Sequence, residues 1–386
     1  MIQDFLTPIK DSVVAYLALQ SSSCLGQNIQ INCIQEGFPD LENVKIAIFA
    51  VNEDRNSQNN FGCGEGLHAI RTKLYQLFPG NWDTNIADLG TVEKGNQVSD
   101  TYFAVKEIIA SLIKRNIIPI IIGGGQDITY INYRAYDALE QSVNITTVDS
   151  RFDLGNLEEE LTSQSYLSKI IMQEPNNLFN YCNVGYQTYF NSQEEISLLD
   201  NLFFDTYRLG EAKVLENIEP AFRNSDIVSI DIGAVRQSEA PGNNNSSPNG
   251  FYGEEICAIS RYAGLSDKVS SFGIYEYNSK HDNNDQTAHL IAQMIWYFIE
   301  GVNFRVKDYP FSGKENYQKF TVLLEEDEPL LFYKSNKSGR WWIEINILSN
   351  NKYKRHALIP CTYKDYKDAT KQLIPEKWYK AMRKMV

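Results

Sequence analysis

The stretch Asn144-Ile-Thr-Thr-Val-Asp-Ser-Arg-Phe-Asp153 decides how this chain is read. Its first half, Asn144–Val148, is a short β-rich run. Its second half breaks into Asp149, Arg151 and Asp153, spaced at i, i+2 and i+4. In an extended backbone those three side chains share one face. Open α/β sheets collect ligand and catalytic groups at the carboxyl ends of their strands, so this run reads as a strand delivering charge to a site.

Similar runs lie on either side. Val44–Val51, Ile117–Ile122, Asn180–Gly185, Asp226–Ile232 and Val269–Tyr275 are candidate strands, and amphipathic stretches near 66–77, 101–114, 128–140, 193–201, 252–264 and 285–301 separate them. Strands that are apolar throughout, alternating with helices, predict a parallel sheet covered on both faces, a three-layer α/β/α architecture. Past residue 305 the pattern changes. Phe320–Leu324, Leu330–Lys334 and Trp341–Ile347, parted by turn-rich EEDEP and SNKSG, predict a small antiparallel meander, and Pro375–Val386 a short basic helix. The expected division is an N-terminal segment 1–43, an α/β domain 44–304 and an appendage 305–386. Adjacent Trp341 and Trp342, with Phe332 and Tyr333, are read as packing contacts of the small sheet.

Three more strand ends are unusual: Gly123-Gly124-Gly125-Gln126-Asp127; Ser229-Ile230-Asp231-Ile232-Gly233, followed by Glu239-Ala240-Pro241-Gly242; and Glu276-Tyr277-Asn278. Asp231 and Glu276 would join Asp149 and Asp153 around a single guanidinium. Carboxylates do not crowd without a cation, so the cluster needs a metal or Arg151.

The rest of the chain narrows the function classes. With 36 basic and 49 acidic residues among 386, the formal charge is -13, which repels nucleic-acid backbones and anionic lipid. No apolar run is long enough to span a bilayer, and the N-terminus shows no secretory pattern. Six scattered cysteines without a CxxC read as reduced thiols, and a cytoplasmic location is expected. Gly242–Gly250 (GNNNSSPNG) reads as a flexible loop. Gly123–Gly125, with no GK[ST] after it, does not fit a phosphate loop.

The four strand-end motifs, in this order over residues 44 to 301, resemble the ureohydrolase family of arginase, agmatinase and formimidoylglutamase. That family's pattern runs GG-x-H, D-A-H-x-D, S-x-D-x-D with a later A-P-G, and E-x-N, and Gly62–Arg71 (GCGEGLHAIR) is similar to its early glycine-rich loop. Gly123–Gly125 and Phe152 are most similar to formimidoylglutamase. The resemblance implies an arginase-like α/β/α fold and assembly into trimers or hexamers, hence a homo-oligomer. It also implies two Mn2+ ions that activate water against an amidine carbon.

Carried over by position, the metal ligands fall on Gln126, Asp149, Arg151, Asp153, Asp231 and Gly233, and the substrate-binding glutamate on Glu276. Gly155 stands where formimidoylglutamases often carry arginine. Gln126 offers only an amide oxygen, Gly233 offers nothing, and Arg151 cannot coordinate. A guanidinium about 4 Å from a divalent ion is repelled by roughly 8 kcal/mol at an effective dielectric near 20. The expectation is therefore that Arg151 fills the metal's place, bonded to Asp149 and Asp231; the alternative is that it swings to solvent and leaves a mononuclear site. No cofactor is expected, or at most one weakly bound divalent ion on Gln126, Asp149, Asp153 and Asp231. The chain would then be a catalytically silent binding or scaffolding relative, with a cationic small molecule or a protein as partner. The alternative is a hydrolase of a linear amidine or guanidino compound with a mononuclear site, using Glu276, Asp149 and Asp231. A third reading is a sensor in which Glu276 captures a cation without turnover.

Overall fold

The computed structural model describes residues 2–139, 141–156, 160–310, 313–325, 328–345 and 357–385. Nine parallel strands form the main sheet: β1 Gln30–Ile31, β2 Ile46–Val51, β3 Ile86–Val92, β4 Ile118–Ile122, β5 Val143–Val148, β6 Leu178–Tyr186, β7 Asp205–Arg208, β8 Ile227–Asp231 and β9 Ser271–Tyr275. Their order across the sheet is β1-β3-β2-β4-β9-β8-β5-β6-β7. Every residue of β2, β4, β5 and β9 is buried, as strands covered on both faces must be. One face packs against helices His68–Gln76, Gly253–Leu265 and Gln286–Asn303, and the other against Val98–Lys114 and Ile128–Arg134. The arginase-like three-layer α/β/α architecture follows directly.

The N-terminal segment 1–43 contributes an edge strand of this sheet. Gln30 and Ile31 pair with Ala87 and Asp88 of β3. β3 escaped the sequence reading because Asp88 interrupts its apolar run. Asp88 is wholly buried there because Arg71 neutralises it, with Nε and Nη2 donating to the carboxylate at 2.8 and 3.1 Å while Tyr75 donates a third bond at 2.8 Å. β7, short and part-exposed at the opposite edge, was also missed. So was the helix Leu215–Asn224, whose internal Pro220 breaks the usual pattern.

The C-terminal module is a four-stranded antiparallel sheet, one strand more than expected: β10 Tyr317–Val322, β11 Leu330–Ser335, β12 Trp341–Glu344 and β13 Leu358–Cys361. Residues 346 and 347 of the expected third strand, and residue 386 of the expected helix, lie outside the described residues. Trp341 and Trp342 point to opposite faces and both are buried. Trp341 stacks on Tyr366, while Trp342 meets Tyr317 edge-on.

Arg223, from helix Leu215–Asn224, fastens the module to the main domain. Its guanidinium donates to the carbonyls of Trp341 (2.9 Å) and Cys361 (3.0 Å), pairs with Glu219 (2.9 Å), and lies 4.6 Å from the Trp342 ring. Arg223→Ala removes a buried cation, takes the guanidinium donor from both carbonyls and leaves Glu219 with Arg340 alone, at 3.5 Å. A destabilisation of about 3–5 kcal/mol is expected in chemical denaturation. A change below about 1 kcal/mol would show that the clamp is not what joins the two parts.

Candidate functional site

β4, β9, β8 and β5 are consecutive neighbours in the sheet and run in parallel, so their carboxyl ends open on the same edge. That order places Gln126, Glu276, Asp231 and Asp149 side by side, although they are far apart in sequence. The turn after β4 allows the closest approach. Gly124 has φ +77°, its carbonyl accepts the Glu276 N–H at 2.9 Å, and a Cβ there would stand 2.8 Å from the Glu53 carbonyl oxygen. Glu276 (φ +67°) and Asp153 (φ +53°) both occupy the left-handed region without being glycine. Such strain collects where the surrounding structure holds a functional group in place.

Glu276 is buried and held by three donors. Ser57 Oγ donates at 3.0 and 2.9 Å to its two oxygens, Asn60 Nδ2 at 2.7 Å and the Gln126 N–H at 2.9 Å. Burial, and next the charge of Asp231, push this carboxyl up to about 8. Gln126 is turned by Ser229: Nε2 donates to the Ser229 hydroxyl at 2.9 Å, while Oε1 is buried with no hydrogen-bond partner.

The three aspartates form one electrostatic unit. Asp149 is raised well above the carboxyl range by burial and then by Asp153. Asp231 is raised by burial and then by Asp149. Asp153 is pushed up to about 8 by burial, with Asp231 and Glu276 adding to the rise. Asp149 Oδ1 accepts the Arg151 N–H at 2.8 Å, but Oδ2 is buried and unpartnered. Asp231 Oδ1 accepts the Gly233 N–H at 2.6 Å. At Gly233 the sequence has given up a side chain, and a Cβ there would sit 3.0 Å from that same oxygen. Depressions of about 670 Å3 beside Phe5, Phe38 and Phe103, and of about 420 Å3 between β7 and the C-terminal module, contain none of these groups.

Arg151 is not where the sequence places it. It forms no ion pair among the described residues. Its guanidinium lies 4.3 Å from the Phe190 ring, and Nη1 donates to the Phe190 carbonyl at 3.3 Å. The reason is local: the backbone bends at Ser150 and Arg151, with Asp149 Oδ1 accepting the Arg151 N–H, so the extended alternation that would align residues 149, 151 and 153 stops after Val148. The expected salt-bridged, metal-free cluster is therefore corrected. The carboxyls gain no guanidinium, and two buried acceptors, Asp149 Oδ2 and Gln126 Oε1, remain open to a cation. Among the described residues no three His, Cys, Asp or Glu side chains already stand as a ready-made ligand set. What suits a divalent ion is the donor chemistry: three coupled carboxyls and an orphaned amide oxygen, all hard oxygen donors.

Sequence comparison adds the family. The model of the arginase family matches residues 44–300. The chain belongs to the arginase family. Among curated members, it is 23% identical to the formimidoylglutamase of Streptococcus gordonii, over 70% of this chain and 88% of that protein. It is 26% identical to that of Staphylococcus epidermidis, over 62% and 79%. The fold matches formimidoylglutamase from Bacillus subtilis, with TM-score 0.66 and 17% identity over 77% of this chain and all of that one. It also matches Trypanosoma cruzi formiminoglutamase solved with Mn2+, with TM-score 0.63 and 19% identity over 69% and 96%. An arginase-family fold relative that carries manganese overturns the expectation that this chain has no cofactor. With Arg151 outside the cluster, the physical reason for that expectation is gone as well.

Ser57, Asn60 and Asn243 were not foreseen. The first two hold Glu276 from more than 200 positions away, and Asn243 Nδ2 lies 3.5 Å from Asp231 Oδ1. Only the placement of Asn60 just before the Gly62–Arg71 loop hinted at them. No helix among the described residues is long and apolar enough to cross a membrane. Because Arg151 makes no ion pair with a carboxylate among the described residues and acts on the aspartates only at longer range, Arg151→Met is expected to cost about 1 kcal/mol or less, the worth of a cation–π contact that is not fully desolvated. A loss of about 3–5 kcal/mol in thermal or chemical denaturation would instead mean that it neutralises the aspartates.

Proposed function

We propose that this arginase-family chain is a manganese-dependent hydrolase of a linear amidine, like the formimidoylglutamases it resembles. The observation that carries this is the pair of buried, unpartnered acceptors, Asp149 Oδ2 and Gln126 Oε1, at strand ends shared with Asp153, Asp231 and Glu276. Gln126, Asp149, Asp153 and Asp231 would hold the metal. When bound, manganese supplies Lewis acidity that lowers the pKa of water.

The chain's own groups do the rest. Glu276 has about four lone-pair sites, of which Ser57, Asn60 and Gln126 fill three, so it is fixed in position while one site stays open to an amidine N–H. On giving up its proton to pair with the substrate, the buried Glu276 carboxyl also favours the cationic amidine over neutral competitors. Water adds to the amidine carbon, and the bond from that carbon to the substrate's amine nitrogen breaks. That nitrogen leaves as an amine, and the carbon and its other nitrogen leave as an amide. With Asp231 Oδ1 occupied by the Gly233 N–H, Oδ2 is the atom to take the water's proton and return it to the departing nitrogen. The retained Glu276, its donors and the names of the relatives all support this reading over a silent scaffold.

The test is calorimetric titration of metal-stripped protein with Mn2+, alongside amide release from formimidoylglutamate. Wild type is expected to bind manganese, with the stoichiometry read from the same titration, and to release amide. Asp149→Ala is expected to weaken metal binding by about tenfold or more. Glu276→Gln is expected to lower kcat/KM by about a hundredfold or more while leaving the metal bound. Wild-type protein that neither takes up Mn2+ nor releases amide would refute the assignment.

A further inference from the structure

The arginine that leaves the carboxyl cluster comes to rest at its rim. Its main chain is fixed on both sides: the Arg151 N–H donates to Asp149 Oδ1 at 2.8 Å, and its carbonyl accepts Asn183 Nδ2 at 2.9 Å. The next residue is fixed too, with the Phe152 N–H donating to Asn191 Oδ1 at 2.8 Å. Asn191 in turn donates to the carbonyls of Ser150 (3.0 Å) and Gln187 (2.8 Å), so segments 150–152 and 187–191 form one rigid piece. The Phe190 ring under the guanidinium therefore belongs to the same piece as Arg151 itself, and the side chain is pre-oriented rather than loose.

Among the described residues its donors are largely unused. Of the five N–H groups a guanidinium carries, one makes a 3.3 Å bond to the Phe190 carbonyl. The side chain is half-buried. It remains within electrostatic reach of Asp149, Asp153 and Asp231, so it stands at the same site and not on a separate surface. The site thus has two poles: acid-rich strand ends that favour a cation, and beside them one preset guanidinium with open donors. A chain of net charge -13 would repel a free anion from this edge unless a local cation received it.

We propose that Arg151 is a specificity-determining residue that anchors a carboxylate at the far end of the substrate. The site then selects dipolar amidines, with the amidine at Glu276 and a carboxylate on Arg151, over amidines lacking an acid group. This rests on the hydrolase reading for its amidine half. The carboxylate half stands on the geometry of Arg151 alone. A planar fork stacked on an aromatic ring suits bidentate carboxylate recognition, which a lysine ammonium reproduces only as a point charge.

The experiment compares wild type, Arg151→Ala and Arg151→Lys in two measurements. The first is calorimetric binding of glutamate, which has carboxylates but no amidine, to the manganese-treated protein. Wild type is expected to bind it, Arg151→Ala about tenfold or more weakly, and Arg151→Lys in between. The second is the ratio of kcat/KM for formimidoylglutamate to that for an uncharged N-alkylformamidine. That ratio is expected to fall by about 10- to 100-fold in Arg151→Ala, mainly through KM. Equal glutamate affinity in wild type and Arg151→Ala, or no measurable binding to wild type, overturns the anchor. So does an unchanged substrate ratio. Glutamate binding that depends on Arg151, in a protein that turns over neither amidine, upholds the anchor and rejects the hydrolase reading.

Discussion

Four carboxyl groups at the ends of three adjacent strands, three of them buried and Asp231 half-buried, set the terms for this molecule. The sheet order brings Asp149, Asp231 and Glu276 side by side, and Asp153 follows Asp149 within one turn. Burial raises every one of them, and the charge of a neighbouring carboxyl adds to the rise at each. Negative charge held so closely away from water requires a counter-cation or shared protons. The fold neutralises its other deep charges internally, as Arg71 does for Asp88 and Lys268 for Asp226. At the strand ends no ion pair meets the carboxyls among the described residues, and Arg151 acts on them only at longer range. The cluster is therefore left to shared protons or to a cation from outside, as the proposed metal and amidine would supply.

Much of the sheet was legible because its central strands are unbroken apolar runs, and a period-2 or continuous pattern survives without knowledge of the partners. Failures fell where long-range pairing decides. Asp88 looked incompatible with a buried strand until Arg71, on a helix in the preceding sequence, supplied the compensating charge. β1 and β7 are short edge strands whose residues carry little pattern of their own. In the site, the backbone carriers of Gln126, Asp149, Asp231 and Glu276 could be placed from strand ends. The groups that fix Glu276 could not, because Ser57 and Asn60 come from a loop with no periodicity.

Arg151 shows where a sequence argument about electrostatics breaks down. The argument that a guanidinium cannot sit beside a divalent ion holds, but it assumed the side chain's direction from residue spacing. Spacing fixes direction only while the backbone stays extended. One bend, set by a carboxylate accepting the N–H two residues on, sends the side chain to an aromatic ring and reverses the conclusion about the metal. Glycine at 233 had the opposite legibility. The loss of a side chain there is certain from sequence, and the structure shows that the Gly233 N–H and the nearby Asn243 amide meet Asp231 in its stead.

Asn60 connects two parts of the molecule that would otherwise be independent. Its Nδ2 donates to both the carbonyl and the carboxylate of Glu276, and its Oδ1 accepts the Asn244 N–H at 3.1 Å and Asn278 Nδ2 at 3.0 Å. Asn244 and Asn245 are also laced to the carbonyls of Asn59 and Gln58. The asparagine-rich turn after Gly242 therefore cannot lift without tugging the amide that orients the glutamate. Raising the turn and misaligning Glu276 are a single event, so the latch over this edge of the sheet is also a gauge of whether the site beneath it is set.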